Sequence, residues 1–187
     1  MTRRSAFTYL FWGFLFQLVN FYLQHINVLP DTVGYILIAI GANRLREDNE
    51  RFQTVFWFTI PLMLLSLPNI HQATSQASGF NVTLSGNPLL ILLGVLAWFL
   101  AFVLVFQVCK GIEEFANQLQ EEDLAIRSRT RWQMYLWMQI GVALVVVLAR
   151  TQVASLAVIL GVVVLIYSII VLVAFLSWLW VCRTKLS

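Results

Sequence analysis

The chain has 187 residues, 60% of them hydrophobic and 11% charged, with a net charge of +3. Soluble domains carry about a quarter charged residues, and a small core cannot hide so much apolar surface, so lipid is the expected solvent for much of the chain. The modest charge is no nucleic-acid footprint. The two cysteines, Cys109 and Cys182, supply neither a disulfide scaffold nor the ligand set of a structural zinc site.

The N-terminal stretch MTRRSAFTYLFWGFLFQLVNF opens like a signal peptide, with Arg3 and Arg4. Its apolar part is longer than a signal core and no A-x-A site follows, so it reads as an uncleaved first span, residues 6–28. The apolar run from Ala6 to Ala42 would reach about 55 Å as one helix at roughly 1.5 Å per residue. A bilayer core of about 30 Å needs roughly 20 residues. The chain must therefore turn, and Pro30-Asp31 is its only punctuation. Proline suits the first helical turn and aspartate suits the positive end of the helix dipole, so a second span is expected over residues 31–43.

Four more apolar segments follow, at about 54–70, 88–109, 132–149 and 153–181. The expected fold is an all-α integral membrane bundle of six transmembrane helices in one domain. Basic residues collect on the cytoplasmic side. With both termini cytoplasmic, all 12 basic residues except Arg150 fall inside, and all 9 acidic residues except Asp31 do so too. Asp31 and Arg150 are then the charged pair of the outer side, each at a tight hairpin. Two opposite charges near a low-dielectric boundary gain from meeting, so they are candidates for an outer ion pair. The other reading is that Asp31 caps its helix and Arg150 snorkels to lipid phosphate.

Within the first span, Gly13, Gln17, Asn20, Gln24 and Asn27 recur at helical spacing. Such a polar stripe should face protein or water. It serves either as interhelical glue or as the lining of a polar pathway. Ala154, Ala157, Gly161, Val164 and Ser168 form a small-residue seam on the sixth span, with a shorter one at Gly94, Ala97 and Ala101. Gly34 and Gly41 share a face of the second span. Pro61 and Pro68 should kink or end the third. Lys110–Arg131 reads as an amphipathic cytoplasmic connector that lies on the membrane or prolongs the fourth span. Trp132, Tyr135, Trp137, Trp178 and Trp180 sit near span ends, where aromatic belts occur.

No zinc-protease, phosphate-loop, nucleophile-elbow or dinucleotide motif is present, so no cofactor is expected. His25 and His71 fall near the outer surface; His25 with Asp31 could form a proton-handling pair, but a histidine resting at the membrane interface is the preferred reading. Asn81-Val82-Thr83 is a glycosylation sequon, meaningful only in a eukaryotic secretory route. The stretches NVLPDTVGYILIAIGANRL and CKGIEEFANQLQEEDLA resemble the corresponding parts of small bacterial multi-pass membrane proteins with an L-P-D-x-x-G-Y hairpin and a K-G-I-E-E-x-A stretch. The resemblance implies a bacterial inner-membrane protein and brings no activity or site residues.

Two functional classes follow. The first is a non-catalytic membrane protein working through partners in regulation, assembly or immunity. The alternative is a small-solute or ion transporter or channel, formed as a homo-oligomer. The first is preferred, because transporters keep ionisable groups near the midplane and the spans here hold only amides and hydroxyls.

Overall fold

The computed structural model describes residues 3–18, 22–23, 26–27, 31–66, 88–148 and 154–186. Among these are six α-helices and one pair of two-residue strands: α1 (Arg3–Leu18), β1 (Tyr22–Leu23), β2 (Ile26–Asn27), α2 (Asp31–Leu45), α3 (Glu50–Ser66), α4 (Pro88–Gln118), α5 (Glu122–Leu148) and α6 (Ala154–Lys185). Each helix packs on its neighbours in sequence, and α6 returns to α1, so the helices close into a ring. The architecture is all-α. Three helical stretches, Leu92–Gln118, Glu122–Leu148 and Val158–Lys185, are long and apolar enough to cross a membrane.

Two expectations change. Among the described residues α1 covers Arg3–Leu18, and the part of the expected first span at Tyr22–Leu23 and Ile26–Asn27 is strand rather than helix. There Tyr22 pairs with Asn27, and Leu23 with Ile26, in antiparallel register. The physical reason lies in composition. Tyr22 and Ile26 are aromatic and β-branched residues that favour strand over helix. The second change is at the connector: Lys110–Arg131 is not one amphipathic helix. Its first part prolongs α4 to Gln118 and its last part belongs to α5.

The break between them is a Schellman turn. Gln120 adopts φ 57°, the Glu121 N–H donates to the Ala116 carbonyl at 2.8 Å, and the Gln120 N–H donates to Asn117 at 3.2 Å. This is the usual helix-ending pattern, here with glutamine where glycine would cost least. Glu121 then opens α5 by accepting from Leu124 N–H at 3.0 Å, and Glu122 and Asp123 occupy its first turn, where the dipole favours acids. The α2–α3 corner is made similarly. Asn49 Oδ1 accepts the Arg51 N–H at 2.8 Å, an N-cap of a kind that contributes about 1 kcal/mol. Pro61 lies within α3, which runs on to Ser66; Pro68 is outside the described residues.

Glycine sets the closest helix crossing. A Cβ at Gly34 would lie 2.9 Å from the Gly13 carbonyl oxygen, and one at Gly13 would lie 2.8 Å from that of Gly34. One at Gly41 would lie 2.9 Å from the Ala6 carbonyl. The backbones of α1 and α2 therefore touch where only hydrogen can stand between them.

The core lies toward one end of the ring. Phe7 and Leu10 of α1, Phe52 of α3, Ile112 and Phe115 of α4, Leu124 of α5 and Leu179 and Cys182 of α6 are buried together. Phe52 and Phe115 face each other with ring centroids 5.6 Å apart. Toward the other end, the long helices present Leu92, Phe99, Leu144, Val147, Val158 and Ile159 outward.

Candidate functional site at the charged end

The helix ends beside the core carry the ionic groups. Arg3 at the start of α1 reaches Asp48 in the α2–α3 corner at 3.1 Å. Arg51 at the start of α3 pairs with Glu114 of α4 at 2.9 Å. The same guanidinium donates to Gln107 Oε1 at 3.2 Å, and Asn49 donates to Glu114 at 3.0 Å. Lys110 pairs with Glu113 at 2.8 Å, and Lys185 at the end of α6 reaches Glu121 at 3.1 Å. Arg44 lies over the Tyr9 ring at 4.4 Å and donates to Ser5 Oγ at 2.9 Å. Arg3 also lies 5.5 Å from the Phe115 ring centroid.

Three of these pairs tie the start of α1 to the α2–α3 corner, α3 to α4, and the end of α6 to the α4–α5 corner. Each half-exposed pair is worth at most about 1 kcal/mol. Their effect is to hold one polar surface in register above the core, with Arg4, Arg46, Arg127 and Arg129 exposed around it. Cys109 and Cys182 are fully buried beneath, and Ser128 Oγ donates to the Cys109 carbonyl. Among the described residues no three His, Cys, Asp or Glu side chains converge as a metal site would require.

Deeper in the bundle the buried polar side chains are neutral: Thr32, Thr59, Ser66, Ser128 and Gln139. Thr32 and Ser66 hydroxyls share a hydrogen bond of 2.8 Å between α2 and α3. Gln139 accepts from Trp98 Nε1 at 3.2 Å and donates to Tyr135 OH at 2.7 Å. Reading the sequence for stripes missed this three-residue chain across α4 and α5. The available signal was the i,i+4 spacing of Tyr135 and Gln139.

The expected site residues fare differently. Gln17 lies in the last turn of α1, and its Cγ is the atom nearest a Cβ built on Gly34, at 2.7 Å. Its Nε2 is buried without an acceptor. Asn27 belongs to β2, so it does not continue a helical face with Gln17. Asn20, Gln24, His25, His71, Asn81 and Arg150 lie outside the described residues, as does the side chain of Asp31, whose backbone opens α2. The outer ion pair therefore falls outside them too.

On α6, Ala154 and Ala157 have side chains outside the described set. A Cβ on Gly161 would meet Val145 of α5 at 3.8 Å, and one on Gly141 would meet Val164 at 3.1 Å, so this face lies along α5. Ser168 turns its hydroxyl to the Val164 carbonyl of its own helix at 2.7 Å. At Gly94 nothing among the described residues lies within 4 Å of its Cβ position, while Ala97 and Ala101 pack on the core. Trp178 is 2% exposed and sits inside the bundle, whereas Trp137 and Trp180 are exposed.

No family model matches the chain, and no curated protein or solved structure matches it.

Proposed function

We propose that this chain is a multi-pass protein of the bacterial cytoplasmic membrane with six spans and both ends in the cytoplasm. It acts without catalysis, through protein partners that read the charged end. The observation that carries this reading is the division of the molecule. Exposed apolar side chains cover the long helices, and the four ion pairs found among the described residues all lie at one end, three of them joining elements distant in sequence and the fourth, Lys110–Glu113, lying within α4. A rigid mixed-charge surface at a membrane face is suited to a soluble domain or a neighbouring membrane protein.

The alternative is a small-solute or ion transporter or channel. It is supported by the unpartnered Gln17 Nε2 and by the Trp98–Gln139–Tyr135 chain. It is disfavoured because no ionisable Asp, Glu, Lys, Arg or His is buried among the described residues, whereas transport sites usually hold such groups within the membrane.

Topology is tested by labelling with a membrane-impermeant thiol reagent. The native Cys109 and Cys182 are buried, so the background is low. Ser78→Cys and Ser85→Cys should label in sealed cells; Gln118→Cys and Ser187→Cys should label only after lysis. Labelling of Gln118→Cys in sealed cells overturns the six-span arrangement. A pull-down in mild detergent separates the two functions. A stoichiometric protein partner supports the first, and solute-dependent thermal stabilisation without one supports the second.

A further inference from the structure

The ion pairs use Arg3, Arg51, Lys110 and Lys185. They leave Arg127, Arg129 and Arg131, all within the first three turns of α5. Among the described residues none of these three has a carboxylate partner. Glu122 and Asp123 precede them but sit where the helix dipole already favours acids. Arg127 and Arg129 are exposed. Arg131 is half-buried: its Nη1 reaches Met134 Sδ at 3.4 Å, and its Nε is shut off from solvent without an acceptor. A thioether is a weak acceptor, while a guanidinium fork matches an oxyanion. The adjacent Trp132 Nε1 is also buried without an acceptor.

Helix α6 repeats the pattern beside it. The two helices run antiparallel, tied by Lys185 to Glu121 at 3.1 Å and by Tyr167 OH to the Met134 carbonyl at 3.4 Å. Between those ties Trp178 and Arg183 fall level with the first turns of α5. Trp178 Nε1 and Arg183 Nε are both buried without acceptors, and the Arg183 guanidinium lies over Trp180 at 4.4 Å. The stretch thus gathers Arg127, Arg129, Arg131 and Arg183 at one level, with the unused Trp132 N–H beside them, while Trp178 stays inside the bundle. Immediately along the same helices come exposed apolar side chains, Trp137 and Ile140 on α5 and Val173 on α6.

Cations with spare donors, followed by an apolar face, match a ligand with an anionic head and hydrocarbon chains. We infer that the α5–α6 pair at the charged end binds the phosphate head groups of anionic lipid. The site rests on the membrane-spanning reading above. It selects against zwitterionic lipid because the clustered charge of Arg127, Arg129, Arg131 and Arg183 attracts an anionic head group more than a neutral one. It selects against free phosphate because the apolar face contributes only when acyl chains are attached.

The test uses detergent-solubilised full chain titrated with phosphatidylglycerol, phosphatidylcholine or inorganic phosphate, with bound lipid counted by native mass spectrometry. The wild type should prefer phosphatidylglycerol by about tenfold, since a basic residue near an anionic surface contributes about fivefold. The preference should fall below about twofold in Arg127→Gln/Arg129→Gln/Arg131→Gln. The double variant Arg127→Gln/Arg129→Gln alters only exposed side chains and should still lose most of the preference. Arg46→Gln, exposed at the end of α2, should keep it. Equal binding of both lipids, a preference that survives in the double variant, or equal displacement by inorganic phosphate overturns the site. Alkaline carbonate extraction of membranes separates the two readings. A chain that washes off removes the membrane reading and the site together. A chain that is retained but shows no preference removes the site alone.

Discussion

The first three helices and the last three are built on different terms. Helices α1, α2 and α3 have 16, 15 and 17 residues, whereas α4, α5 and α6 have 31, 27 and 32. The short set packs backbone to backbone at Gly13, Gly34 and Gly41. The long set meets through side chains, as in Phe102 on Tyr135 with centroids 6.0 Å apart and Phe106 on Trp132 at 5.3 Å. The long helices also run on beyond the shared core with apolar side chains facing outward. The comparison teaches that apolar residues in this chain serve two separate ends. Near the charged end they fill a protein interior, and farther along the long helices they form a surface.

The largest effect should separate two phenylalanines. Phe52 is fully buried against Phe115, and Phe99 is 56% exposed on α4. Phe52→Ala should lower unfolding free energy in detergent by about 3–5 kcal/mol through lost contacts and a cavity. Phe99→Ala should change it by less than about 0.5 kcal/mol. Similar losses at both positions would break the distinction. Two glycines sharpen it next. Gly34→Ala pushes a methyl into the α1 backbone and should cost about 1–3 kcal/mol, while Gly94→Ala enters open space and should be neutral or slightly stabilising through helix propensity. Denaturant or thermal melts of the two variants decide this. The smallest effect lies at the joint between the first long helix and the next. Gln120→Gly should raise stability by up to about 1 kcal/mol, because glycine enters the left-handed region without the Cβ clash. A loss of stability would mean that the Gln120 side chain contributes more than its backbone costs.

Composition and periodicity made much of this architecture legible. The start of a helix at Asp31 followed from proline and aspartate chemistry, and Gly34 with Gly41 was visible as one face. The gathering of charge could be counted from loop composition. The strand pair after α1 was harder to see. The spacing of Gln17, Asn20, Gln24 and Asn27 fits a helix, while Tyr22 and Ile26 favour strand, and periodicity alone does not weigh one against the other. The break at Gln120 was hidden for a related reason. A glycine there would have announced the turn, but glutamine in a left-handed conformation has no sequence signature, so Ile112, Phe115, Leu119 and Ile126 read as one continuous face. At the candidate site, Arg127, Arg129 and Arg131 were readable as charges. Their lack of partners became visible only once the carboxylates of Glu113, Glu114 and Glu121 were placed with other cations.

Closure of the ring by α6 against α1 has a consequence for biosynthesis. Phe11 meets Trp180 at 5.3 Å and Phe14 meets Phe175 at 5.1 Å. The α6 partners of α1 are therefore made after every other described helix. Until α6 arrives, one flank of α1 must wait against lipid or a helper protein, although its α2 flank can close at once through the glycine crossing. Assembly is thereby ordered as a local hairpin first and a long-range seal last, the step with the largest loop-closure cost. A ribosome stalled before α6 should hold an α1 that still crosslinks to its surroundings through Phe11, and release of the full chain should end that crosslinking.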